Sequence, residues 1–515
     1  MSFSSIRKVI LASNNKVSKF FSENPLNNKN KKLAQNAFKT LIYGSFGSLM
    51  KFIIDIIIIK ILSVYDYAQF ALVLGAVVII TNFVSGGARS VIERYFPKFV
   101  NIGDHKNALL LLLKVVLLML MLYLLVFLVI FFYPSKSLGF FFEDITGVSW
   151  DIAIVLALIL FTSCMYLLSV TFRAAENTKM FNFVNEVYPN IFALIGLIYL
   201  ISLNDVSLMN VLYVYLGGIM FSVFLGCLIF YSYIRKSINT LEFSSNKEKE
   251  VSKNIKVFAA YSTLLIVVWI LRDRLAIFLL HDYISIESVA YFSVSLKLLF
   301  IGLLIKSAIN SSFISKMAIE EKTDMFLETY KLLAKWTVVC SYPLIIFLAI
   351  FSEYIMNFLF GGEYKENSEF VMIMLAYLSL TLIIGPTSLV TQMKGKQNVE
   401  IVIISLSLTT LLLFSEFIAT FFGVLGVVGF FYLVIIISDF FLGIYLYREF
   451  KLLPLNKSNL KIFIILLTII LGLLLLLLNI NFSFVNSIFL LILFESVVIY
   501  IIYFGLIRPN NPLKD

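Results

Sequence analysis

Two histidines and three cysteines in 515 residues leave little from which to build a metal centre, a disulfide framework or an imidazole base. His105 and His281 fall in connecting segments, and Cys164, Cys227 and Cys340 lie far apart inside apolar runs, where a thiol reads as a small buried hydrophobe. Charge is scarce as well. Only 14% of the residues are Asp, Glu, Lys or Arg, against about a quarter in a soluble domain, while 60% are hydrophobic and the mean hydropathy is +0.97. That apolar surplus exceeds what the interior of a water-soluble fold takes up, so the chain reads as an integral membrane protein.

Runs of about 20 apolar residues, the length that crosses ~30 Å of hydrocarbon, recur at 37–62, 68–92, 107–133, 150–172, 182–203, 208–234, 257–280, 289–315, 332–360, 370–392, 399–422, 424–447, 460–480 and 486–507. The expected fold is all-α, a polytopic bundle of about 14 transmembrane helices. An even number places both termini on one side, and the basic residues say which. Of the 41 Lys and Arg, thirty lie in the termini and the alternate connections that share their side, and only Lys136 and Lys365 lie in the opposite set. Cytoplasmic loops hold the excess of Lys and Arg, so both termini and the 235–256 loop are expected in the cytoplasm. The net charge of +10 follows from this asymmetry and points to anionic lipid, not nucleic acid.

The first 33 residues are basic, but their longest apolar run, Val9 to Ala12, is too short for a signal-peptide core. Phe3, Ile6, Val9, Ile10, Val17, Phe20 and Phe21 share one helical face and Lys8, Lys16 and Lys19 another. Two readings stay open, a helix along the inner leaflet and a disordered basic tail.

Nine basic residues fall inside the expected spans: Lys39, Lys51, Lys60, Arg89, Lys114, Arg272, Arg274, Lys297 and Lys306. Each costs roughly 2.5–3.5 kcal/mol at a helix centre by insertion scales, so each asks for a reason. Lys39, Lys60 and Lys114 are near enough to a helix end to snorkel. Lys51, Arg272, Arg274 and Lys297 lie deeper and Arg89 is intermediate, and they gather on spans one, two, seven and eight. Gly44, Gly47, Ser48, Lys51 and Asp55 form one polar stripe, and Asn82, Ser85, Gly86, Arg89 and Glu93 another. Ser293, Lys297, Ser307 and Ser311 share a side of span eight, with Lys306 pointing elsewhere. Arg272 and Arg274 are two apart and cannot look into the same space; the sequence does not choose between them. Pairing of Lys51 with Asp55 and of Arg89 with Glu93, each four residues on, is the plain structural reading. It leaves the surplus of cations on these spans unexplained, whereas an anionic passenger such as a pyrophosphate accounts for it.

The two clusters are also related by a shift of 222 residues, which lays Ser63–Phe70 over Ser285–Phe292 and Lys51 over Asp273. This suggests two six-helix lobes of like orientation with a site between them. The expected organisation is a cytoplasmic segment 1–33, lobes 34–234 and 257–450 joined by the loop 235–256, and two further helices in 451–515.

From about residue 34 to 450 the chain resembles the oligosaccharide flippases of the polysaccharide-transport family, O-antigen-unit type, within the superfamily of multidrug exporters and the peptidoglycan lipid flippase. The resemblance rests on the Tyr67 to Leu74 stretch, Gly86-Gly87-Ala88-Arg89 followed by Arg94-Tyr95-Phe96-Pro97, Asp273-Arg274-Leu275, Tyr291-Phe292-Ser293 and Phe360-Gly361-Gly362-Glu363-Tyr364. The family's glycine after span four has no counterpart in Arg173-Ala174-Ala175-Glu176-Asn177. The resemblance implies an alternating-access exporter of an undecaprenyl-pyrophosphate-linked oligosaccharide, working beside other polysaccharide assembly proteins. The candidate binding residues are then Lys51, Arg89, Arg272, Arg274 and Lys297. No cofactor is implied, but Asp55, Asp273, Glu416 and Asp439 are available for proton or sodium coupling, or equally as salt-bridge partners. A drug exporter of the same fold would be expected to carry acids in place of these cations. A peptidoglycan-precursor flippase would share them. A membrane glycan polymerase would call for a sizeable outer loop, and 134–149 offers little acid beyond Glu143 and Asp144. Pro189, Pro343 and Pro386 are expected to kink their spans.

Overall fold

A computed structural model of the chain describes residues 28–101, 105–132, 152–175, 177–238, 248–319, 323–394 and 396–450. Every regular element among them is helical, as befits backbone surrounded by hydrocarbon, where each N–H and C=O must find a partner within the chain. In order these are α1 Asn28–Ile61, α2 Val64–Asn101, α3 His105–Phe132 and α4 Ile152–Ala174. Next comes α5, built from Thr178–Asn182, Phe183–Val187 and Tyr188–Ser202, and then α6 Leu208–Ile238, α7 Glu248–Tyr283, α8 Ile286–Ile319 and α9 Thr323–Ile350. The short α10 Ser352–Phe360 is followed by α11 Ser368–Ile384, α12 Thr387–Met393 and α13 Gln397–Phe450.

The first ten expected spans each coincide with a helix or a pair of helices, the next two with the two halves of α13, and the last two lie outside the described residues. Seven of the described helices are long and apolar enough to cross a membrane, or eight if the bent pair α9 and α10 is one span. The chain is a multi-pass membrane protein. α6 runs to Ile238 and α7 begins at Glu248, so the helices reach into the segment read as the loop 235–256.

Local chemistry sets the ends. Ser63 opens α2 as a reciprocal cap, its hydroxyl accepting from the Asp66 N–H at 3.1 Å and donating to the Asp66 carboxylate at 2.7 Å. Ser285 opens α8 likewise, accepting from the Ser288 N–H at 3.3 Å. These are the two serines that the 222-residue shift superposes. Gly423, at φ +59 and ψ −154, breaks the 54-residue α13 where the sequence separates spans eleven and twelve. Gly385, at φ +87, and Pro386 divide α11 from α12, as expected of the proline. Pro189 borders the π-helical turn Phe183–Val187, in which the Ser222 hydroxyl takes up the Val184 carbonyl at 2.5 Å. Pro343 stays inside α9, and the sharp bend, 75°, comes after Ile350 instead.

α2 packs against α3 and α4, α4 against α6, and α5 against α6, with α1 laid on α5. α8 packs on α9 and α11, and α7 and α11 on α13. The principal contacts between these two sets are α2 with α7 and α8, and α1 with α8 and α10.

Candidate functional site

The polar stripe on α1 does two jobs. Its small residues let α1 close on α5: a Cβ at Gly47 would sit 2.6 Å from the Glu186 Cβ, and the Ser48 hydroxyl donates to the Glu186 carboxylate at 3.1 Å. Asn190 donates to the Glu186 carbonyl at 2.6 Å and to the Gly47 carbonyl at 3.5 Å, fastening the π-helical turn to α1. Further along, Lys51 stays within reach of Glu186 and looks toward α4, α6 and α7, while Asp55 faces α8. Lys51 keeps an exposed surface although it sits mid-helix.

Four helices besides α1 converge there. The Asp55 carboxylate accepts from the Lys297 ammonium of α8 at 2.9 Å, an ion pair that bridges the two sets of helices. Arg274 of α7 lies within electrostatic reach of Lys51 and Lys297, and Tyr67 within reach of both Arg274 and Asp55. Tyr166 of α4 and Tyr215 of α6 flank Lys51. Arg89 stands one aromatic ring away, its guanidinium 4.9 Å over Tyr166 and hydrogen-bonded to Asn82. Lys51, Arg274 and Lys297 thus gather around Asp55, with Glu186 within reach of Lys51 at one side and Asp273 within reach of Arg274 at the other.

The second cluster is balanced. Arg272 is buried beside Trp269, its guanidinium 4.9 Å over the indole and 3.7 Å from the Asp273 carboxylate. Asp439 on α13 lies within reach of Arg272 and of Lys306 on α8, and Tyr377 on α11 completes the group. Two cations face two carboxylates here. Asp273 stands at the border, within reach of Arg274 as well. Glu416 is exposed on α13 among exposed Leu413, Phe414 and Phe417, away from both clusters.

No family model matches the sequence, and no curated protein is similar enough to match it. Solved structures do. The lipid II flippase MurJ in an inward closed conformation superposes with a TM-score of 0.68 at 17% identity, over 91% of this chain and 99% of that one. An inward-facing multidrug resistance MATE family transporter gives 0.61 at 13%, over 81% and 98%. A MOP-superfamily transporter from Pyrococcus furiosus, described as having a binding pocket of reverse polarity, gives 0.57 at 14%, over 82% and 95%. At these identities the likeness is one of fold.

Within that fold, the residues singled out in the sequence divide. Lys51, Asp55, Arg274 and Lys297 come together, Arg89 adjoins them through Tyr166, and Arg272 is packed elsewhere with Asp273 and Asp439. The geometry thereby separates Arg272 from Arg274, two residues that the spacing alone left equivalent. The pairings read along single helices also change. Asp55 is in contact with Lys297 as well as near Lys51, and Glu93 pairs with Arg173 of α4 in place of Arg89. Sequence reading passed over Tyr166, Tyr215 and Glu186. A tyrosine or a single acid in an apolar run carries no spacing signal, and Glu186 owes its position to a π-helical turn that no periodicity announces.

The Asp55–Lys297 pair is open to a direct check. In detergent, Asp55→Asn and Lys297→Gln are each expected to lower the melting temperature, and the double variant to lose less than the two combined, with a coupling of about 1 kcal/mol or more. Strict additivity would mean that the two side chains do not interact.

Proposed function

We propose that the protein is a flippase that moves an anionic lipid-linked oligosaccharide, carried on an undecaprenyl pyrophosphate, from the cytoplasmic to the outer leaflet. One observation carries the reading: Lys51, Arg274 and Lys297, cations from three helices of both sets, meet around the Asp55 carboxylate. A cationic site in a low-dielectric bundle attracts and orients a diphosphate, and charge-assisted contacts to phosphate oxygens are the strongest hydrogen bonds available to it. The same field repels the cationic compounds that a drug exporter of this fold would carry. Rotation of the two sets of helices about the α1/α2 and α7/α8 seam would then expose the site to either side in turn. Coupling to a proton or sodium would act through Asp55, Asp273 or Asp439, each of which faces a fixed cation.

A peptidoglycan precursor is the second reading, favoured by the likeness to MurJ. The test is translocation in proteoliposomes of two fluorescent cargoes, an undecaprenyl-pyrophosphate oligosaccharide and lipid II, with the dephosphorylated polyprenol glycoside as control. The proposal expects the first cargo to move, inorganic pyrophosphate to compete, and the control to stay in its leaflet. Movement of lipid II alone would support the second reading. Movement of a cationic dye but of no pyrophosphate-linked cargo would overturn both.

A further inference from the structure

The segment that follows α9 is where a membrane span would be expected to end, yet it turns back over the bundle. α9 bends by 75° into α10, Ser352–Phe360, and the chain then passes through Gly361, at φ +112, into the 3-10 turn Gly362–Asn367. It lies at the end of the bundle where α1 stops and α2 starts, the far end relative to the amino terminus of α1. Although it belongs to the carboxy-terminal helices, it touches the amino-terminal ones. Lys60 of α1 donates to the Phe358 carbonyl at 3.4 Å, and Phe52 of α1 meets Phe360 edge to face with ring centroids 6.5 Å apart. Tyr364 packs edge to face on Tyr291 of α8 at 5.9 Å and lies within reach of Tyr67 of α2. Tyr67 in turn lies within reach of Asp55 and Arg274. The succession from lid to Tyr67 to charged site is therefore continuous.

We infer that Ser352–Asn367 is a lid that closes the far-end mouth of the cationic site, hinged at Phe351 and Gly361 and latched onto α1 and α2. Several features fit a moving part better than a fixed cap. Its latch to the amino-terminal helices includes one long hydrogen bond and an edge-to-face ring contact, both of which part readily. Its own ion pair, Lys365 to Glu353 at 3.0 Å, is internal and would travel with it. The Tyr364 hydroxyl is buried yet has no hydrogen-bond partner among the described residues, a cost borne by the closed state that water relieves on opening. Ser293, one turn from Lys297, is buried with its hydroxyl unpartnered in the same way. On its outer side the lid exposes Tyr354 and Phe358, aromatic side chains suited to resting in the interface during such a swing. At Gly361 a Cβ would meet nothing within 4 Å, so glycine is there for its backbone freedom and not for space.

The inference rests on the reading of the charged space as the transport path, but its test does not depend on the cargo. Phe52→Cys and Phe360→Cys are introduced together in a chain whose Cys164, Cys227 and Cys340 are replaced by alanine, and joined by a short, cleavable thiol cross-linker in proteoliposomes. A membrane-impermeant amine reagent is applied from the far side, and labelling of Lys51 and Lys297 is read by mass spectrometry. Joining the lid is expected to cut labelling by about tenfold, the response of a two-state equilibrium whose open form is removed, and cleavage to restore it. Equal labelling of joined and cleaved protein would overturn the lid. Gly361→Val, which cannot hold φ +112 without strain, is expected to disfavour the closed lid and raise labelling without any cross-link; unchanged labelling in this variant would also count against it. Blocked labelling together with an absence of glycan transport in both states would support the lid and defeat the proposed cargo.

Discussion

Arg274→Ala is expected to reduce translocation of the pyrophosphate-linked lipid by about a hundredfold, and Lys51→Ala to match it, with the protein still inserted and folded. Removing one partner of a desolvated charge pair costs about 2–5 kcal/mol, and 1.4 kcal/mol is a factor of ten. Both side chains are held by their own helices and not by each other, being like charges in one space, so neither is needed to hold the fold. Arg274→Lys keeps the charge but not the planar fork, and is expected to retain part of the activity. Arg272→Ala supplies the contrast. Arg272 is packed on Trp269 and neutralises Asp273, with Asp439 in reach, so its loss is expected to lower the melting temperature while leaving transport per folded molecule close to normal. Quantitative translocation and melting curves on the same preparations read the two effects apart. If Arg272→Ala stopped transport and Arg274→Ala did not, the assignment of the two arginines would be reversed.

The bundle was legible because hydrocarbon imposes a length and a polarity on anything that crosses it, and the break at Gly423 falls between spans that the hydropathy already separates. The concentration of deep cations on α1, α2, α7 and α8 was legible for the same reason, since a charge in an apolar run stands out. Which cations share a space was not. Arg272 and Arg274 differ only by their rotation about α7, and that rotation is set by which face packs on α13, a contact between residues more than a hundred positions apart. The Asp55–Lys297 bond crosses 242 positions and both sets of helices, so the nearer partner four residues away was the only one that sequence offered. Lys306, read as pointing away from Lys297, does so, and finds Asp439 there. The fold back into α10 was hidden because residues 332–360 read as one uninterrupted apolar span, and a 75° bend leaves no trace in hydropathy.

At the opposite end of the seam, α2 and α7 are in their closest contact, and the obstacle to a side chain there is backbone. A Cβ at Gly87 would lie 2.1 Å from the Thr263 hydroxyl and 2.7 Å from the Ala259 carbonyl, atoms that are themselves hydrogen-bonded at 2.8 Å. Beyond it, the Arg94 guanidinium lies 4.4 Å over Phe258, whose ring also meets Tyr95. Gly87→Val is therefore expected to wedge α2 from α7 at the end nearer the amino terminus of α1 and to prevent closure on that side. Translocation should fall by more than about tenfold, while overpacking of this kind costs only about 1–3 kcal/mol of stability, so that folded protein is recovered. Labelling of Lys51 by an impermeant reagent applied from that side should rise at the same time. Gly86→Ala, whose Cβ would meet only the Ile266 methyl at 3.3 Å, is expected to be tolerated. Thr263→Ala added to Gly87→Val removes the closest obstacle but not the Ala259 carbonyl, so rescue should be partial. Full activity in Gly87→Val alone would show that the two helices separate there without consequence, and that closure of this end depends on another contact.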